Sequence, residues 1–160
     1  MGKCLFYSVV RWIIVVAVVL SLGLGSGSGS VSKAEPEAVA EAVTATLDMS
    51  QMLRGDNKLI KRFYGLDPAQ FESCILYYPT TNMMAEELLI VKLADTSQQD
   101  MVRKAAEKRI ETQKTTFEGY GVEQFQMLTE NAVIEVRGNY VLFVVAPNSA
   151  EARKAFLKAL

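Results

Sequence analysis

The sequence contains no histidine, only two cysteines and one tryptophan in 160 residues. Lacking imidazole, it has no usual general base, no Ser-His or Cys-His nucleophile system and none of the commonest metal ligand. No phosphate-binding glycine loop, dinucleotide glycine pattern or metal-ligand spacing is present either. These absences argue against an enzyme and against any cofactor or metal, and no catalytic residue is assigned. Basic residues are not in excess: beyond residue 24 the chain carries all 18 acidic residues and 15 of the 17 basic ones. A nucleic-acid binder would show the opposite balance, so nucleic acid is not an expected partner.

The charge deficit is most severe at the start of the chain. Lys3 and Arg11 are the only charges before Lys33, and Trp12 to Leu20 is uninterrupted hydrocarbon. From Leu5 to Leu24 the run is about 20 residues, enough for about 30 Å of membrane if Arg11 snorkels to the headgroups. From Trp12 to Leu24 it has the length of a secretory core, with Gly23-Leu24-Gly25 as a cleavage site. Either reading puts the following domain outside the cytoplasm, by the charge asymmetry. A single-pass protein of the cell membrane is expected, with residues 5–24 as the membrane contact, or a secreted protein if the segment is cleaved. Cys4 and Cys74 then lie on opposite sides of the membrane, and no disulfide supports the fold.

Three parts follow: an anchor or signal helix over 1–24, a Gly/Ser-rich linker over 25–35, and one extracytoplasmic domain over 36–160. Pro36 suits the first turn of a helix, and Val39, Val43 and Leu47 recur at helical spacing to about Met49. A second helix is expected from Ser50 to Tyr64, ended by Gly65. Ser73–Tyr78 and Glu86–Ala94 read as strands. A long helix follows Asp95, capped by Thr96 or Ser97, with Val102, Ala106, Ile110 and Phe117 as its apolar stripe. Val122–Thr129 is a short helix. Ala132–Val136 and Tyr140–Ala146 are strands joined by Gly138-Asn139, and Ser149–Leu160 is the last helix.

This ββα-ββα order implies an α+β domain: a four-stranded antiparallel sheet with two helices on one face. Both strand faces are apolar, Leu89, Val91, Val141 and Phe143 opposing Leu88, Ile90, Leu142 and Val144. The second face therefore needs its own cover. That cover is either the N-terminal helical region, through Val39, Val43, Leu47 and Phe63, or a partner protein or second copy of the chain.

Several phrases carry a resemblance: Phe63-Tyr-Gly-Leu-Asp67, Tyr77-Tyr78 before Met83 to Glu87, Gln113-Lys114 leading to Phe117-Glu-Gly-Tyr-Gly121, and Gly138 to Val145. Their order resembles a family of small extracytoplasmic domains of Gram-positive bacteria, a domain of unknown function often found on lipoproteins, over roughly Leu47 to Phe156. The resemblance implies location and a domain boundary, and it brings no activity. No cysteine follows the apolar run, so lipid anchoring does not carry over.

Binding residues are sought where apolar side chains meet loops. Met83 and Met84 beside Tyr77, Tyr78 and Asn82 would make an adaptable contact patch. Phe117 and Tyr120, next to Gly119 and Gly121, would line a groove. Glu86 and Glu87 fall on opposite faces of a strand and cannot act as a pair. A basic stripe of Arg54, Lys58, Lys61 and Arg62 is a solvated helix face or a contact for anionic lipid. The expected function is a non-enzymatic interaction module of the cell envelope, binding an unidentified envelope protein, a ligand or itself. The alternatives are an envelope hydrolase working through carboxylates and tyrosines, or a homodimerising structural module.

Overall fold

A computed structural model describes residues 30–160; the expected anchor over 1–24 and the start of the linker lie outside the described residues. Among the described residues, no helix is long and apolar enough to cross a membrane. The chain runs α1 (Pro36–Thr44), β1 (Met52–Arg54), α2 (Asn57–Tyr64), β2 (Ser73–Pro79), β3 (Glu87–Lys92), α3 (Gln99–Phe117), α4 (Val122–Glu130), β4 (Ala132–Arg137), β5 (Tyr140–Val145) and α5 (Ser149–Ala159). The strands form one antiparallel sheet in the order β1-β2-β3-β5-β4.

The sheet has five strands where the sequence suggested four, because Met52–Arg54 is an edge strand and not the start of a helix. Gly55 explains the difference. Its N–H donates to the Leu76 carbonyl at 2.8 Å, and Thr80 N–H donates to Gln51 O at 2.9 Å, so the backbone of β2 claims this segment. A Cβ at Gly55 would sit 2.7 Å from the Leu76 side chain, closer than packing allows. Helix α2 then starts at Asn57, capped by Asp56, whose side chain accepts from Leu59 N–H, and stops before Gly65 in the left-handed conformation (φ +68°).

The two helices that close the ββα units, α3 and α5, lie on opposite faces, not on one as expected. On the first face, α2, α3 and α4 bring Ile60, Val102, Ala106, Phe117 and Leu128 onto Leu76, Leu89, Val91, Val141 and Phe143. On the second, Val39 and Val43 of α1 join Ala152 and Phe156 of α5 over Ile75, Leu88, Ile90, Leu142 and Val144. A sheet apolar on both sides must bury both, and here α2, α3 and α4 cover one side while α1 and α5 cover the other. The N-terminal region thus covers the second face as one expectation had it, except for Phe63, which packs against the first. Among the described residues, helices of the chain itself pack on both sheet faces.

The expected cap ahead of α3 falls on a different residue and on the 3₁₀ turn Thr96–Gln98 that leads into the helix, while α3 itself has no side-chain cap. Asp95, not Thr96 or Ser97, accepts from Ser97 N–H at 2.8 Å, while the Gln98 side chain accepts from the Asp95 N–H at 3.2 Å. This reciprocal arrangement is a capping box.

The sheet has two distinct ends. At one, the β4–β5 turn holds the incoming chain: Asn139 exchanges two hydrogen bonds with the backbone of Ser32, and the Tyr140 hydroxyl donates to Ala34 O at 2.6 Å. Ser32 Oγ also donates to Leu160 O at 3.0 Å. The other end carries the β2–β3 loop, residues 80–86, and the C-terminal end of β5.

Candidate functional site

Strand β3 begins with Glu87, which alternation places on the first face beside Leu89 and Val91. Its side chain has no solvent exposure. Helix α3 passes above and presents Arg109 and Gln113, four residues apart on one side of the helix. Arg109 donates through Nε to both carboxylate oxygens (3.1 and 3.2 Å) and through Nη2 to Oε2 at 2.7 Å. Gln113 Nε2 donates to the same Oε2 at 2.9 Å, and the Tyr64 hydroxyl, from the end of α2, donates to Oε1. Burial, and after it the negative charge of Glu87, holds the Tyr64 hydroxyl well above its ordinary pKa. Every oxygen of Glu87 is engaged, so this carboxylate fixes its neighbours and is not free to accept a substrate proton.

The guanidinium of Arg109 also lies 4.2 Å from the centre of the Phe63 ring, so it is held in plane by Glu87 and from one side by an aromatic face. Phe63 is in turn edge-on to Tyr78 at 6.1 Å. These groups line a groove of about 530 Å³ between α2, α3 and the β2–β3 loop. Its remaining wall is formed by Leu59, Arg62, Pro79, Thr80, Thr81, Asn82, Met84, Gln113 and Thr116. Among the described residues, no carboxylate or thiol lines this groove.

Of the residues expected to bind, Tyr78, Asn82 and Met84 line this groove. Met83, next to them on the loop, points to solvent at 60% exposure. Tyr77 alternates onto the second face and packs against its core. Phe117, expected in a groove, is a core residue at 2% exposure, because it closes the apolar stripe of α3 over the sheet. Tyr120 is exposed beside it, the two rings 6.1 Å apart. Of the expected patch only Tyr78, Asn82 and Met84 come together, without Tyr77 and Met83, and Phe117 and Tyr120 are not among the groove's lining residues.

Arg109, Gln113, Phe63 and Glu87 were not anticipated as site residues. A signal was present in α3: positions 102, 106, 109, 113 and 117 follow the spacing of a buried stripe, and two of them are polar. A polar residue in a core stripe needs a buried partner, which the lone acid of β3's inward face supplies.

Across the β2–β3 loop, on the second face, Glu86 lines a smaller cavity of about 260 Å³ with Asp48, Met52, Met84 and Pro147. One Glu86 oxygen is buried there without a hydrogen-bond partner among the described residues. Among the described residues no group of three or more His, Cys, Asp or Glu could hold a metal ion. Cys74 on β2 is free, and burial pushes its thiol up to about 12, far from a reactive thiolate.

Residues 45–146 match the family described as a domain of unknown function (DUF4358), and the chain belongs to that family. The matched span runs from the end of α1's turn to the last residue before α5's loop, and so includes the whole sheet and the groove. No curated protein and no solved structure matches the chain.

Proposed function

We propose that this protein is a non-enzymatic binding module of the bacterial cell envelope, Gram-positive by the family resemblance, tethered to the membrane through residues 5–24. It takes its ligand or partner in the groove beside the β2–β3 loop. The observation that carries the reading is the state of Arg109. A buried carboxylate and an aromatic ring hold this guanidinium rigid at the floor of an open groove, which pre-organises it for recognition. The groove lining offers hydrogen-bond donors and apolar walls, the features a binding site uses.

On this reading the tether and the groove lie at opposite ends of the domain. The chain enters at the β4–β5 turn, through Ser32 and Ala34, while the groove opens at the opposite end of the sheet. At about 3.3 Å per residue, the six residues of β5 separate the two by nearly 20 Å. A domain standing on its tether would present the groove away from the bilayer. Arg62, from the basic stripe, opens onto that far groove and so faces away from lipid.

Site-specific photocrosslinking of the full-length protein in its native membrane tests this. A photoreactive residue at Asn82 is expected to give a reproducible adduct, and one at Arg137, beside the tether, is not. Equal labelling from both positions, or labelling from Arg137 alone, would overturn the assignment.

A further inference from the structure

Resting on the groove assigned above, we infer that its ligand presents a carboxylate to Arg109. A guanidinium has five N–H donors in one plane. Glu87 occupies the Nε side and one N–H of Nη2, and Nη1 donates to nothing among the described residues. The unused edge, Nη1 with the second N–H of Nη2, is a fork whose spacing matches the two oxygens of a carboxylate. Arg109 lines the groove, and with Glu87 on its Nε edge the Nη1 edge is the one left to meet a ligand there. Phe63 against the guanidinium face keeps it from rotating away.

Charge selects among oxyanions. Arg109 is neutralised by Glu87, which leaves Arg62 as the uncompensated charge of the lining among the described residues. A monoanionic carboxylate brings the groove to neutrality, whereas a phosphate dianion would leave an excess negative charge next to a buried acid. The walls beside the fork are Leu59, Phe63, Tyr78 and Met84, so the carboxylate is joined to an apolar group.

The test uses the full chain, labelled with nitrogen-15 in detergent micelles, and three probes: 3-phenylpropionate, 3-phenylpropionamide and phenyl phosphate. The Arg109 Nε–H signal and the amides of residues 80–84 are followed. The carboxylate is expected to shift them saturably, and the amide to bind about tenfold more weakly, as loss of a charge-assisted pair implies. Arg62→Gln should weaken the carboxylate about tenfold. Arg109→Lys, which keeps the charge beside Glu87 but removes the fork, should abolish the response while the rest of the spectrum stays in place. Equal binding of the amide, or tighter binding of phenyl phosphate, would overturn the carboxylate and leave the groove standing. Absence of any shift with all three probes would also overturn the carboxylate, and the crosslink from Asn82 would then decide the groove by itself.

Discussion

Strand β3 starts and ends with a buried charge, and the two are treated differently. Glu87, on the first face at the loop end, is enclosed by Arg109, Gln113 and Tyr64. Lys92, on the second face at the tether end, pairs with Glu72, whose side chain is 53% exposed, and its ammonium lies 5.8 Å from the centre of the Tyr140 ring. The lysine reaches water through its partner; the glutamate has only protein. Where water can help, a buried charge is a modest local matter. Where it cannot, the charge must organise three other side chains, and in this fold that organisation is what builds the groove.

The largest effect should come from breaking the enclosed pair. Glu87→Ala or Arg109→Ala leaves an unpaired charge inside and is expected to destabilise by about 3–5 kcal/mol, read as a fall in the urea midpoint. Replacing both together, Glu87→Leu with Arg109→Met, should recover most of that loss yet remove carboxylate binding. If the double variant is no more stable than the singles, the enclosed network is not the separable unit described here.

Alkaline pH should act next, on both faces at once. Burial pushes the Cys74 thiol to about 12 on the first face. On the second, burial, then the charges of Glu72 and Glu35, push the Tyr140 hydroxyl to about 12. Both groups hold their protons more tightly folded than unfolded, where they titrate near 8.5 and 10. Their contribution is therefore complete below about pH 8.5 and is lost as pH rises toward 12. Urea midpoints measured through that range should fall. Cys74→Ala and Tyr140→Phe, taken separately, will report which face yields first.

Smaller changes are expected where water reaches the partner. Glu72→Gln should cost about 1 kcal/mol, since solvent can replace the lost carboxylate at Lys92. A cost as large as that of Glu87→Ala would erase the contrast between the two ends of β3. Smallest of all is Glu37→Gln on the surface. The hydrogen bond from Arg54 lowers the Glu37 pKa, but both side chains are more than half exposed, so the change should stay within about 0.5 kcal/mol. Thermal unfolding of the two variants side by side checks both values.

Much of the fold was legible in local chemistry. The alternation in β2, β3 and β5, the Gly138-Asn139 turn and the stripe of α3 act over a few residues, and the structure keeps all of them. Edge strand β1 was not legible, because Met52 and Leu53 also suit a helix, and only the exposed edge of β2 decides between the two. The site was legible in part for the same reason. Tyr78, Asn82 and Met84 stand close together along the chain, whereas Phe63, Glu87 and Arg109 come from three elements.

By itself, then, the sequence determined the apolar character of both sheet faces, the order of most elements, and the absence of imidazole chemistry. These are properties of composition and of short-range periodicity. That α3 and α5 take opposite faces was settled only by tertiary packing, because each apolar face must be buried and no local signal says by which helix. The same packing alone decided that Glu87 meets Arg109. A charge removed from water is tolerated only beside a partner, and that partner, 22 residues away, is found by packing α3 across the sheet.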